Sequence, residues 1–203
     1  MQQRITKMHG QDLPPILCAV NDHGFAVFER GQWNLNIVIA RNPNGRPNEF
    51  DDWIHVVYRR QDEWREDIFR CTADPGQYWL QNPMRTAGTA IWKHPQQSRG
   101  AFKIGKHRGE YDCLRQQKPI TVWRDANKDD EHDMDGADHQ AWAIQIHRAN
   151  AYRTSTVVGK WSAGCCVIAD PAAYKVFMGL CKLQISAHWG TSFTVTCLEG
   201  VWI

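Results

Sequence analysis

The chain has 203 residues, with 24 basic and 22 acidic side chains and a formal charge of +2. That length supports one good core or at most two small ones, and so balanced a charge excludes the polyelectrolyte signature of a nucleic-acid binder. Residues 1–10 lack the apolar stretch of a signal peptide and no run reaches transmembrane length, which predicts a protein made in the cytoplasm with no membrane anchor.

Taken along the chain, residues 1–12 read as a loose tail and 13–203 as a single domain without repeats, linkers or a shift in composition. Short runs rich in β-branched and aromatic residues predict strands at 16–20, 25–28, 34–40, 53–59, 101–104, 120–123, 141–147 and 193–198. Turn residues separate them at Asn21-Asp22-His23-Gly24, Asn42-Pro43-Asn44-Gly45, Asp74-Pro75-Gly76, Asn82-Pro83 and Glu199-Gly200. A helix is predicted over about 172–181, where Asp170 supplies a cap and Pro171 suits the first helical position. The expectation is a mostly-β domain with one or two helices.

The ten tryptophans are spread along the chain, as suits residues that pack a core or line strands. Trp161 is the candidate for an aromatic wall beside a substrate. The seven cysteines, Cys18, Cys71, Cys113, Cys165, Cys166, Cys181 and Cys197, are odd in number and contain no C-x-x-C pair. This excludes zinc-site spacing and the disulfide framework of a small secreted domain, and leaves most of them as buried apolar thiols.

Cys165 is set apart by its context. His147 closes the apolar run Ile144-Gln145-Ile146-His147, and Ser162-Ala163-Gly164-Cys165 follows after a polar loop. A cysteine nucleophile needs a nearby base, and an attacked carbonyl needs converging N–H donors. Strand alternation places Trp142, Ile144 and Ile146 on one face and Ala141, Ala143, Gln145 and His147 on the other. The loop 148–160 is long enough to return the Ser-x-Gly-Cys turn to His147. Gly164 suits a tight turn, and the amides of Ala163, Gly164 and Cys165 are candidates for an oxyanion hole. The alternative is a satisfied strand histidine and a buried cysteine.

A histidine, a loop, and then Ser162-Ala163-Gly164-Cys165 resembles the signature of the L,D-transpeptidase catalytic domain, the YkuD-like family. In that family the histidine is followed by Ser/Thr-His-Gly-Cys and, after one further residue, Arg or Asn. The segment from Asn82-Pro83 to Gly88-Thr89 is similar to the family's Thr-Pro-x-Gly strand start. The resemblance covers residues from about 20 to 200. It implies a YkuD-like mixed β-sandwich with one or two short helices. It also implies Cys165 as nucleophile, His147 as base oriented by the carbonyl just after it, and Ser162 as brace of the turn. The partners it implies are peptidoglycan stem peptides.

Two positions depart from the pattern: Ala163 stands where the family has His, and Val167 where it has Arg or Asn. The first keeps the amide; the second removes a substrate-binding side chain, for which Arg148 and Arg153 are candidate replacements. Thioester chemistry at Cys165 predicts an L,D-carboxypeptidase or endopeptidase if water resolves the thioester, and a cross-linking transpeptidase if an amine does. The chain fits a wall-degrading enzyme such as an endolysin or effector, acting on the cell wall after release or delivery. The rival is a silent wall-binding or phage structural module. An activated Cys165 would react with iodoacetamide well below the ordinary thiol pKa of about 8.5.

Two further stretches carry charge. Asp125, Asn127, Asp129 and Asp133 have the spacing of a Ca²⁺ loop, but Asp130 and Gly136 stand where an EF-hand needs Gly and Glu. A solvated acidic hairpin is the favoured reading, and no other cofactor is implied. Lys93-His94, Arg99, Lys103 and Lys106-His107-Arg108, interleaved with Trp92 and Phe102, read as a solvated basic face.

Overall fold

The computed structural model describes residues 13–200, so the tail expected over 1–12 lies outside the described residues. In chain order the elements are α1 (Pro15–Asp22), β1 (Asn36–Arg41), β2 (Asp52–Arg60), β3 (Glu63–Thr72), α2 (Gln77–Gln81), β4 (Thr89–Trp92), β5 (Gln96–His107), β6 (Tyr111–Gln116), β7 (Ile120–Asp125), β8 (His139–Ala141), β9 (Gln145–Arg148), β10 (Cys166–Ile168), α3 (Pro171–Ser186) and β11 (Ser192–Glu199). Eight strands close into a barrel in the order β1-β11-β5-β6-β9-β10-β3-β2. Strands β4, β7 and β8 form a separate three-stranded sheet. The barrel is mixed: β1 runs parallel to β11 and β9 parallel to β10, whereas the other pairs are antiparallel. The mostly-β, mixed-sheet expectation holds, with the large sheet closed on itself.

Hydrophobic burial explains why these segments take these places. Ile37 and Ile39 of β1 point into the main core, while Val38 and Ala40 point the other way, against Ile16, Leu17 and Val20 of α1. Both faces of β1 are therefore covered, which is why Asn-Ile-Val-Ile-Ala-Arg reads as continuous rather than alternating apolarity. Each fully buried aliphatic side chain contributes about 1.5–3 kcal/mol. The small sheet joins the same core through Ala90, Trp92, Ile120, Val122 and Ala141, with Trp92 stacked on Phe102. Helix α3 packs on β3, β9 and β10, with Phe177 edge-on to Phe69. Asp170 caps it by accepting from the N–H groups of Ala172 and Ala173 at 2.7 and 3.2 Å, as the Asp-Pro signal predicts, and the helix extends to Ser186.

Three local expectations are corrected. Residues 16–20 form helix α1: Pro15 occupies its first turn, and Ile16, Leu17 and Val20 share one buried face. Residues 25–28 join no sheet; Gln97 and Asn36 clamp the backbone of Ala26 and Phe28 through their side-chain amides. The run 141–147 is not one strand. Ala143 adopts a positive φ of 67°, so β8 ends at Ala141 in the small sheet and β9 starts at Gln145 in the barrel. Trp142 is consequently 56% exposed instead of sharing a face with Ile144 and Ile146.

A charged cluster lies inside. Arg41 donates to the Trp92 carbonyl at 2.6 Å and pairs with Asp74, and Asp52 accepts from the amides of Asn42 and Ala73 at 2.9 and 2.7 Å. Together these tie the end of β1, the start of β2 and the small sheet to one another.

Candidate active site

The break at Ala143 sets up the site, because it hands β9 to the barrel beside β10. The parallel register pairs Cys166 with Ile146 and Val167 with His147. Cys166 and Ile146 point into the main core, so His147 and Val167 face outward. Cys165 packs with Val167, Ala149, Phe50 and Val158 on that outer side. His147 and Cys165 thus occupy diagonal positions on the same face of neighbouring strands. Register separates the two adjacent cysteines: Cys166 is a core thiol and Cys165 the one on the site's face.

His147 is 2% exposed, and its Nδ1 lies 2.8 Å from the Arg148 carbonyl oxygen. A carbonyl only accepts, so Nδ1 carries the proton and Nε2 keeps its lone pair. The Tyr111 hydroxyl donates to the same carbonyl at 3.3 Å. His107 stacks on His147 with ring centroids 4.3 Å apart and is held through Nδ1 on Gln145 Oε1 at 2.7 Å. Burial above all holds the His147 imidazole down to about 4, and the charges of His107, Arg108 and Arg148 act the same way.

The turn that carries the cysteine is braced from within. Ser162 is fully buried; its Oγ donates to the Cys165 carbonyl at 2.8 Å and accepts from Gly164 N–H at 3.2 Å. Gly164 has φ +110°, and a Cβ there would stand 2.7 Å from the Ala90 carbonyl oxygen, so the close approach of the turn to β4 requires glycine. Trp92 Nε1 donates to the Gly164 carbonyl at 3.0 Å. The Gly164 amide, one of the three expected oxyanion donors, is thus engaged by Ser162 Oγ. Burial pushes the Cys165 thiol up to about 11, opposed by a hydrogen bond from the Gln145 backbone and by the charge of Arg108. This shift is opposite in direction to the depressed pKa expected of an activated thiol.

Two separate cavities include the site residues, one His147 and the other Cys165. One, of about 850 Å³, is lined by His147, His107, Arg108, Arg148, Lys160 and Trp161 among others. The second, of about 150 Å³, is lined by Cys165, Ala163, Trp142, Met84, Arg85 and Arg124 among others. Trp79 lines both and is anchored by Nε1 on the Lys160 carbonyl at 3.2 Å. Trp161 therefore walls the histidine side of the site. Arg148 also lines that side, its guanidinium 3.9 Å from the Tyr111 ring centroid. Arg153 is exposed and lines neither of these two cavities. Val167 is fully buried.

Residues 106–108 are not simply a solvated basic face. Lys106 pairs with Asp112, but the end of β5 and its turn bring His107 and Arg108 into the site. Together with Tyr111 and Gln145 these are the site residues that sequence reasoning missed. Their one visible signal was a histidine at the end of a predicted strand region, and the β5–β6 hairpin is needed to aim it.

Most of the acidic loop is solvated, with residues 126–131 and 135–140 exposed, and Asp125 at its start is the buried exception. Asp125 is fully buried and accepts from Asp133 N–H at 3.2 Å, and burial raises its carboxyl pKa. Asn127 and Asp129 bond each other and the following backbone, and His132 approaches Asp74 at 3.8 Å. Among the described residues no three His, Cys, Asp or Glu side chains converge to hold a metal. Among the described residues no helix is long and apolar enough to cross a membrane. Comparison of the chain with protein-family models, with curated proteins and with solved structures gave no match.

Proposed function

We propose that the chain is a peptidoglycan stem-peptide hydrolase, an L,D-carboxypeptidase or endopeptidase working through a thioester on Cys165 with His147 as base. The observation that carries this reading is the Nδ1–H···O=C bond from His147 to Arg148 at 2.8 Å. The L,D-transpeptidase (YkuD-like) resemblance implies just such a carbonyl after the histidine, and the bond leaves Nε2 as the acceptor of a thiol proton.

With both groups neutral at rest, proton transfer accompanies attack. As Cys165 Sγ adds to the carbonyl of an L-centre joined to a D-residue, its proton passes to His147 Nε2. The C–N bond then breaks, the amine departs with that proton, and a thioester remains on Sγ. Amides at Ala163 and Cys165 serve the developing oxyanion. Water then adds under His147 catalysis, releasing a carboxylate and restoring the thiol. Resolution by water makes the activity hydrolytic, whereas resolution by an amine of a second stem peptide would make it transfer.

The test is mass spectrometry of purified tetrapeptide muropeptides incubated with the chain, beside Cys165→Ala and His147→Ala. Loss of one D-alanine, absent in both variants, is the expected result. Dimers or D-amino-acid exchange would make the enzyme a transpeptidase. Unchanged muropeptides and unchanged cross-linked sacculi would move the reading to a silent wall-binding or phage structural module.

A further inference from the structure

The His147 imidazole is held by more than its own bond to Arg148. His107 stacks on it with ring centroids 4.3 Å apart and planes 29° from parallel. Tyr111, opposite His107 in the β5–β6 register, has its ring centroid 5.1 Å from that of His107. Its hydroxyl donates at 3.3 Å to the Arg148 carbonyl, the same oxygen that accepts from His147 Nδ1 at 2.8 Å. The contacts close a circuit: His147 to His107, His107 to Tyr111, Tyr111 to the Arg148 carbonyl, and that carbonyl back to His147.

His107 is itself pinned from the strand that carries His147. Its Nδ1 lies 2.7 Å from Gln145 Oε1, and the same oxygen accepts from Cys113 Sγ at 3.4 Å. An amide oxygen only accepts, so His107 Nδ1 carries its proton and Nε2 keeps the lone pair, the same tautomer as His147. Gln145 and His147 stand two apart on β9 and share one face, so this bond fixes the end of β5 over that face. An imidazole with a single hydrogen bond still tilts about it. A second ring laid on its face removes that freedom and shields that face from water, and His147 is only 2% exposed.

We infer that His107 is a positioning residue: stacked on His147 and pinned by Gln145, it fixes the ring whose Nε2 takes the Cys165 proton. Its effect on turnover rests on the proposed thioester chemistry; its hold on the ring does not. Without His107 the imidazole gains both freedom and water, so proton transfer slows and the ring becomes easier to protonate. Burial is the main cause that holds His147 down to about 4, and the charge of His107 acts in the same sense, so both weaken when the side chain goes. The other groups around the ring are unchanged by that substitution. These are Arg108 and Glu110 of the turn, Arg148, Lys160 on the cavity wall, and the thiols Cys113 and Cys165 on either side of β9.

The test reads the ring and the reaction separately. Heteronuclear NMR of histidine-labelled protein gives the tautomer and titration midpoint of His147 whether or not the chain turns over. The unaltered chain should show the proton on Nδ1 and a midpoint near 4. His107→Leu should mix the tautomers and raise the midpoint by roughly one pH unit. In the muropeptide assay the same variant should lose about tenfold in kcat with little change in KM, and the acid limb of its pH profile should move up with the NMR midpoint. His107→Phe restores a stacked ring and should recover most of kcat and most of the low midpoint; a residue that served folding alone would move neither limb nor midpoint. Gln145→Met frees the His107 ring without removing it, and should shift the midpoint the same way if His107→Leu does not fold. A His147 tautomer and midpoint unmoved in the folded variant would overturn the inference, and so would full kcat in an active chain lacking the His107 ring. The expected NMR shifts in a chain that yields no product would instead refute the thioester reading and leave the hold of His107 on His147 standing.

Discussion

Replacing Ser162 with alanine isolates the turn that presents Cys165. The hydroxyl is fully buried, donates to the Cys165 carbonyl at 2.8 Å and accepts from Gly164 N–H at 3.2 Å. Each bond contributes about 0.5–1.5 kcal/mol net, and a buried donor or acceptor stranded by the change costs about 1–3 kcal/mol. Only one oxygen atom is removed, so the cavity left is small and the polar contribution dominates. The expected loss is therefore about 2–4 kcal/mol. In a domain of this size each kcal/mol moves Tm by about 2–4 °C, so thermal unfolding followed by circular dichroism should show a fall of about 8 °C. At 25 °C the variant stays folded, and turnover should drop by about 10²-fold as the oxyanion amides lose their alignment. A fall of less than about 2 °C would show that these two bonds do not hold the turn, and the bracing role of Ser162 would be withdrawn.

Three predictions concern pH. Burial keeps His147 down near 4 and Cys165 up near 11, so turnover should rise through about pH 4 as the imidazole loses its proton and stay level across neutrality. Iodoacetamide labelling of Cys165, read by mass spectrometry, should be slow at neutral pH and climb toward about pH 11; rapid labelling in mild acid would reveal a preformed thiolate and refute the neutral pair. Asp52 is raised from 3.8 to about 7, by burial first and then by Asp74, so the folded state holds its proton more tightly than the unfolded chain. Its contribution to stability is complete below about pH 4 and is lost as pH rises through about 7. Asp52→Asn should flatten that decline in urea midpoints compared on either side of pH 7, and an unchanged slope would refute the assignment.

Much of the site's chemistry was legible because it is local. The Ser-x-Gly-Cys order dictates a turn that only Gly164 permits at φ +110°, and a carbonyl follows His147 whatever the next residue is. The Asp170-Pro171 cap is equally local, and the helix starts where it says. The misread segments are those whose partners are distant. Residues 16–20 are apolar enough for either period, and the choice fell to the face of β1 and β2 that α1 covers. Residues 25–28 look like a strand, but their backbone groups bond amide side chains of Asn36 and Gln97 instead of a neighbouring ladder.

The sequence by itself determined the mostly-β character, the helix after Asp170 and the turn at Gly164, which depend on local pattern, and its His and Ser-x-Gly-Cys motifs made His147 and Cys165 candidates. Tertiary structure alone decided the rest. The positive φ at Ala143 moves β9 into the barrel, and the β9–β10 register then puts Cys165 rather than Cys166 on the face of His147. The β5–β6 hairpin brings His107, Arg108 and Tyr111 to the same place, while Arg153, nearer in sequence, stays outside. Burial depth, which sets the ionisation of both candidate reactive groups, is a property of everything packed around them and not of any spacing along the chain.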